Sequence, residues 1–290
     1  MKKFSLLLAV LLLLGLVGCA APEQAPQIVA TTKPVYDFTA YLCKNTGIAV
    51  GQLITENISC LHDYALNVKQ VRHAEAAEVI VISGAGLEDF MADLLTEASA
   101  VIDSSVDVPL LECHEEHDHG HDHAHEQDAH IWLDPKNAQK MAENICDGLC
   151  AAYPEHTTAF QENLSQLEME FVSLQDYGQK NLANLSCREL ITFHDGFGYL
   201  AHAFDLTIAA AVEEESGSEA SAKELIALIE LVQQHRIPAI FAETNGSLSA
   251  PDIISRETGL PIYTLDMGMS EGNYFDIMRH NIDTLKEALG

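Results

Sequence analysis

The chain has 290 residues and is 48% hydrophobic, so it is long and apolar enough for two globular domains or one large one. Its 44 acidic and 15 basic residues give a formal net charge of −29, which excludes the basic surface that nucleic-acid binding requires. The same charge favours cationic ligands, although an acidic surface kept for solubility explains most of these residues equally well.

The first 27 residues predict export and attachment to a membrane. Lys2 and Lys3 precede an apolar stretch, residues 4–14, that is too short to span a bilayer comfortably. Residues 16–20, Leu-Val-Gly-Cys-Ala, then resemble a bacterial lipobox, in which the cysteine is lipidated. We therefore expect residues 1–19 to be a lipoprotein signal peptide that ends at the lipid anchor Cys19, and residues 20–27 to be a tether.

Strands and helices alternate over the next part of the chain. Short β-branched or continuously apolar runs predict strands at residues 27–32, 48–54, 79–84 and 101–103. Apolar residues at helical spacing predict helices at residues 34–42, 68–77 and 87–97. This alternation is typical of an α/β fold with a parallel sheet.

A histidine-rich stretch, residues 112–129, follows the last of these strands. Its six histidines alternate with acidic and small residues: His114, His117, His119, His121, His123 and His125. No larger apolar side chain anchors them, so we expect a mobile loop. Imidazoles and carboxylates at this density favour a borderline metal such as Zn²⁺, although a solvated low-complexity spacer would give the same pattern.

His130 belongs to a different environment from the six histidines before it. Residues 131–133, Ile-Trp-Leu, follow it, and Asp134-Pro135 then provides an N-cap residue with proline at the first helical position. His130 should therefore lie at the edge of packed structure.

Helices dominate the middle of the chain. Steps of three and four predict a helix from Pro135 to residue 152, and a second helix of about 25 residues, roughly 38 Å long, begins after Pro154. We interpret the long helix as a stiff connector between two lobes rather than as part of a helical bundle. The α/β pattern then returns, with strands at residues 189–193, 206–212, 239–243 and 261–266 and helices at residues 223–235, 252–258 and 274–289.

Five polar residues are predicted at positions where open α/β sheets bind ligands. His62, His194, Glu243 and Asp266 lie at or just after strand ends, and His130 lies at a helix start. Three imidazoles and one carboxylate, from His62, His130, His194 and Asp266, make a tetrahedral set that suits Zn²⁺. Glu243 and the six loop histidines are possible auxiliary ligands.

Six cysteines remain after Cys19, and their number permits disulfides in an exported chain without selecting a pairing: Cys43, Cys60, Cys113, Cys146, Cys150 and Cys187. Free thiols are an equal alternative, and Cys113 could be a soft metal ligand.

Nearly the whole mature chain resembles the zinc/manganese-type solute-binding lipoproteins of bacterial ABC importers. The resemblance rests on the lipobox and on residues 61–64, 84–88, 130–135, 193–199, 240–243 and 265–266, in this order. It implies two α/β lobes, each with a central parallel sheet flanked by helices, joined by a rigid backbone helix with the metal in the cleft. It also implies that His62, His130, His194 and Asp266 bind the metal.

The resemblance further implies function, partners and domain limits. The histidine-rich insertion is similar to that of zinc members, and His194 stands where manganese members more often carry glutamate. We expect a lipid-anchored, extracytoplasmic, monomeric protein that binds Zn²⁺, or alternatively Mn²⁺, and delivers it to a permease with its ATPase. The expected domains are an N-terminal lobe at residues 28–135, a helical connector at residues 136–183 and a C-terminal lobe at residues 184–290.

Two other functions remain as alternatives. A zinc hydrolase would need an open coordination position and a general base such as Glu243, but no His-Glu-x-x-His motif is present, so we do not expect an enzyme. An adhesin or envelope metal buffer would depend on the histidine-rich loop and not on the cleft.

Overall fold

A computed structural model describes residues 26–56, 61, 64–111, 127–212 and 220–290. Its first sheet has four parallel strands in the order β2-β1-β3-β4. The strands are β1 (Ile28–Ala30), β2 (Val50–Gln52), β3 (Val79–Ile82) and β4 (Val101–Asp103). The two central strands, β1 and β3, are buried at every position, as their uninterrupted apolar sequences predict.

Three helices flank this sheet, and the third is markedly shorter than the sequence pattern predicts. They are α1 (Lys33–Leu42), α2 (Val68–Glu75) and α3 (Ala92–Glu97). The predicted helix at residues 87–97 is instead a 3₁₀ turn, Asp89–Met91, followed by α3. Gly84, Ala85 and Gly86 all have positive φ angles, so the chain makes a tight turn just before residue 87 and the helix starts later.

Two long helices cross the middle of the molecule. Helix α4 (Pro135–Ala152) is capped by Asp134, whose Oδ1 accepts a hydrogen bond from the Lys136 N–H at 2.8 Å. Helix α5 (Thr157–Asn181) has the predicted 25 residues and packs along α4. Its buried face includes Phe160, Leu167 and Phe171.

The second half contains another four-stranded parallel sheet, in the order β6-β5-β7-β8. Its strands are β5 (Glu189–Thr192), β6 (Thr207–Ala211), β7 (Ile240–Glu243) and β8 (Ile262–Leu265). Its helices are α6 (Gly198–Ala203), α7 (Ala222–His235), α8 (Ser249–Thr258) and α9 (Tyr274–Leu289). The two sheets with their flanking helices and the long α5 confirm the predicted fold class.

One hydrophobic core continues through both halves of the molecule. Phe38 of α1, Phe171 of α5 and Tyr274 of α9 meet edge to face, with ring centroids 4.9 to 6.0 Å apart. A second, smaller core lies between the second sheet and helices α7 and α8. Leu190 faces the main core and Ile191 the smaller one, because successive side chains of a strand point to opposite faces.

The structure tests only some of the predictions about disulfides, membrane attachment and domain limits. Cys43, Cys146, Cys150 and Cys187 are free thiols, and Cys19, Cys60 and Cys113 lie outside the described residues. No helix in the described ranges is both long and apolar enough to cross a bilayer. The three domain limits stay predictions.

Candidate metal centre

The carboxyl edge of the second sheet carries three of the predicted site residues. Glu243 ends β7, Asp266 follows β8 directly, and His194 is the second residue after β5. Because these strands are parallel, their carboxyl ends meet at one edge of the sheet. All three side chains are buried, each less than 8% exposed.

His130 reaches this edge from outside the second sheet. It precedes the 3₁₀ turn Ile131–Leu133, whose three apolar residues are each 1% exposed or less and fix the turn in the core. The Trp132 Nε1–H donates to the Met267 carbonyl at 2.7 Å, next to Asp266. The Tyr274 hydroxyl donates to the Trp132 carbonyl at 2.6 Å. The turn that carries His130 is thus bonded to the loop and helix that follow β8.

The imidazoles of His130 and His194 meet with their Nε2 atoms 3.4 Å apart. The rings stand almost perpendicular, with an interplanar angle of 89° and centroids 5.1 Å apart. Two nitrogen ligands of one tetrahedral Zn²⁺, each at about 2.0 to 2.1 Å from the metal, lie roughly 3.3 to 3.4 Å from each other. The pair therefore has the spacing of two ligands of a single ion.

A glycine allows the His194 ring to lie where it does. A Cβ atom built on Gly196 would stand 2.8 Å from His194 Nε2 and 2.5 Å from the Met267 methyl group. Any larger residue at this position would therefore displace the His194 imidazole and the Met267 side chain.

Backbone N–H groups of the residues that follow Asp266 hold its carboxylate in place. Its Oδ1 accepts hydrogen bonds from the Gly268 and Met269 N–H groups at 2.7 and 3.1 Å. Asn281 of α9 bonds both the N–H and the carbonyl of Asp266, at 2.9 and 2.8 Å. The bonds from Gly268 and Met269 occupy Oδ1, so Oδ2 is the oxygen suited to a cation.

The structure unites two of the predicted ligands but not the full set. Across the described part of the chain, no three His, Cys, Asp or Glu side chains converge closely enough to hold an ion. His130 and His194 form a pair, and Asp266 and Glu243 lie at the same sheet edge. His62 and the six loop histidines, His114 to His125, lie outside the described residues.

Sequence reasoning missed the residues that orient this site. Asp128, Trp132 and Asn281 each bond a site residue or its neighbouring backbone. Asp128 could have been found from its position two residues before His130, the spacing of a side chain that bonds a nearby backbone N–H. The partners of Trp132 and Asn281 are 135 and 15 residues away, so no local pattern reveals them.

Comparison with known proteins gives a consistent result. The family described as "Zinc-uptake complex component A periplasmic" (ZnuA) matches residues 28–288. The chain is 32% identical, over 99% of its length, to the zinc-binding lipoprotein AdcA of Streptococcus pneumoniae, and it spans 61% of the length of that relative. It is 30% identical to a putative metal-binding protein of Treponema pallidum, over 78% of this chain and 76% of that one.

A solved structure extends the comparison to three dimensions. The Zn(II)-bound ZnuA-like domain of Streptococcus pneumoniae AdcA superimposes with a TM-score of 0.76 at 28% identity, covering 91% of this chain and 98% of that domain. The match of the family over residues 28–288, together with the shared fold, establishes that the chain belongs to the zinc-uptake component A (ZnuA) family.

Proposed function

We propose that this chain captures Zn²⁺ outside the cytoplasm with high affinity and delivers it to an ABC-type importer. The observation that carries the proposal is the buried pair of His130 and His194, whose Nε2 atoms are 3.4 Å apart. His62 and Asp266 are the proposed third and fourth ligands. The proposal is supported by the family and by the relative AdcA, which is named a zinc-binding lipoprotein.

The chemistry of the pair favours zinc over manganese as the cargo. Two imidazole nitrogens at tetrahedral spacing suit Zn²⁺, which has no ligand-field preference and accepts four ligands. Mn²⁺ prefers more oxygen ligands, so Mn²⁺ is the second cargo to be tested. The formal charge of −29 attracts either cation and does not distinguish them.

The proposed partners are the importer's permease with its ATPase, and the membrane through Cys19. AdcA is named a lipoprotein, and the lipobox at residues 16–20 supports the same anchor here. Lipid labelling and membrane fractionation of the parent and Cys19→Ser proteins test the anchor. The anchor is disproved if the parent protein carries no label.

The cargo is tested on protein purified without added metal. We expect elemental analysis to find close to one tightly held zinc per chain. Chelator competition should give a single tight site that His130→Ala and His194→Ala each abolish. His280→Ala removes an exposed histidine and is the matched control. Tight manganese in place of zinc, or unchanged affinity in both site variants, would contradict the proposal.

Delivery is tested separately from binding. Zinc-loaded protein should stimulate ATP hydrolysis by its importer in a membrane, whereas metal-free protein should stimulate it less. Ester, peptide and phosphate substrates should not be turned over. Turnover that is lost on chelation would favour the hydrolase alternative instead.

A further inference from the structure

Three residues form a ring of hydrogen bonds at the two ends of the histidine-rich stretch. The Asp128 N–H donates to the Leu111 carbonyl at 3.0 Å. The Leu111 N–H donates to the Tyr199 hydroxyl at 2.8 Å, and this hydroxyl donates to the Asp128 carbonyl at 3.0 Å. We call Leu111, Asp128 and Tyr199 the clasp.

The clasp links two parts of the molecule that are distant in sequence. Tyr199 lies on α6 in the second half, 71 residues from Asp128, and is 1% exposed. Gly198, the first residue of α6, lies against the Asp128 side chain, because a Cβ atom built there would be 3.1 Å from Oδ2. Helix α6 therefore bonds the backbone of Asp128 and lies against its side chain.

The Asp128 carboxylate in turn holds His130. Its Oδ1 accepts the His130 backbone N–H at 2.9 Å and lies 2.8 Å from His130 Nδ1. A carboxylate offers only acceptors, so the imidazole must donate its Nδ1–H. The neutral ring then has its lone pair on Nε2, the atom that faces His194.

We propose that Asp128 is a positioning residue for metal capture and that Tyr199 holds Asp128 in place. Asp128 fixes the tautomer and the orientation of His130 before metal arrives, so that Nε2 is presented as a ligand. This inference rests on the proposed function only in taking His130 as a ligand. The tautomer itself is a property of the metal-free protein.

The size of the effect follows from what an outer carboxylate does for a ligating imidazole. Loss of such a partner typically lowers metal affinity 10- to 100-fold, because the ring is less basic and less well oriented. Asp128→Ala should show a loss of about this size. Asp128→Asn keeps an oxygen acceptor but not the charge, so its affinity should lie between those of Asp128→Ala and the parent.

Tyr199→Phe removes only the hydroxyl of the clasp. The ring stays buried, and Asp128 keeps its bonds to His130. We expect a smaller loss of zinc affinity, about three- to tenfold, as for one neutral hydrogen bond.

The decisive measurement is made on the full chain without metal. Long-range ¹H–¹⁵N spectra distinguish the two neutral tautomers of an imidazole, and His130→Ala identifies the His130 signal by its loss. The parent should show Nδ1–H only, and Asp128→Ala should show a mixture of both tautomers. Asp147→Ala, at an exposed position on α4, is the matched control and should change neither tautomer nor affinity.

The outcomes separate this inference from the proposed function. If Asp128→Ala keeps the Nδ1–H tautomer, or binds zinc as tightly as the parent, the positioning role is wrong. If Asp128→Ala does not fold, the zinc affinity of Asp128→Asn is the test. An affinity equal to that of the parent would show that the charge of the Asp128 carboxylate does not support zinc binding by His130. If the parent itself binds no zinc tightly, the proposed function fails while the tautomer result still stands.

Discussion

His194 is the residue at which the choice of metal should be decided. It supplies an imidazole at the carboxyl edge of the second sheet, 3.4 Å from His130 Nε2. We expect His194→Glu to weaken zinc binding at least tenfold, about 1.4 kcal/mol, and to favour manganese relatively, because an oxygen replaces a nitrogen ligand. Competition between the two metals measures the ratio of their affinities. His280→Glu is the control, and a parent protein that prefers manganese would contradict the argument.

Glu88 gives the protein a testable dependence of stability on pH. Its Oε1 accepts hydrogen bonds from the Thr31 hydroxyl and the Ser83 N–H at 2.6 and 2.8 Å, and its Oε2 accepts one from the Gly84 N–H at 2.9 Å. Burial nevertheless raises the pKa of Glu88 from 4.5 to about 7, because desolvation outweighs these bonds. The folded protein therefore binds this proton more tightly than the unfolded chain does.

The sign of the effect follows from the direction of the pKa shift. The contribution of Glu88 is fully present below pH 4.5 and is lost as the pH rises through 7, and its size is on the order of 3 kcal/mol. We expect the unfolding free energy of metal-free protein to fall between pH 5 and pH 7 by part of this amount. Glu88→Gln should remove that slope, whereas Glu75→Gln at an exposed position should keep it. Denaturant titrations at several pH values would disprove the assignment if both variants behave alike.

For individual residues, the sequence predicts the interactions that neighbouring residues in the chain determine. Asp134 caps its helix as expected, because the N-cap and Pro135 act within two residues of each other. The pairing of His130 with His194, 64 residues apart, follows from the rule that ligands gather at the open edge of an α/β sheet and from the family resemblance, and not from any local pattern. The hydrogen bond from Trp132 to Met267 depends on the packing of two halves and could not be predicted from either segment alone.

Helix α5 is the element that ties the two halves together. Near its start, the Asn163 Nδ2 donates to the carbonyls of Leu42, the last residue of α1, and Lys44, at 2.8 and 2.9 Å. Near its end, the Tyr177 hydroxyl donates to Asp283 of α9 at 2.6 Å. The apolar period predicted the length of this helix, but its buried polar contacts depend on tertiary structure.

Gly178 of α5 allows a close contact with the second half. A Cβ atom at this position would overlap the ring of Phe204, which is 4% exposed. Gly178→Ala should therefore lower the unfolding free energy by about 1 to 2 kcal/mol, since the overlap outweighs the usual gain of replacing glycine in a helix. Denaturant unfolding measures the change. Val172→Ala, at an exposed position of the same helix, should stay within about 0.5 kcal/mol of the parent, and equal stability of both variants would refute the close contact.

For the whole molecule, metal should bind in two classes of site. His130, His194 and Asp266 are buried among packed elements, whereas ordering a loop costs about 1 kcal/mol or more per residue fixed. Leu111 and Asp128 are already hydrogen-bonded at 3.0 Å, so the ends of the histidine-rich stretch can be joined by a short linker without moving them. Replacing residues 114–125 by such a linker should abolish weak zinc binding and leave the tight site unchanged. Calorimetry that finds one class of equal sites in the parent would contradict this expectation.

Metal binding should produce little relative motion of the two halves. A hinge needs a few loop residues that absorb the rotation, but here one hydrophobic core continues across both halves, and α5 bonds to each of them. The Phe38, Phe171 and Tyr274 rings would have to separate, and the Trp132 to Met267 bond would have to break, for the cleft to open widely. We therefore expect small-angle scattering curves of metal-free and zinc-bound protein to give the same radius of gyration. Hydrogen exchange should slow only around His62 and His194. A marked decrease in the radius of gyration on adding zinc would contradict this expectation. It would show that the packing between the halves rearranges and that the halves close around the metal.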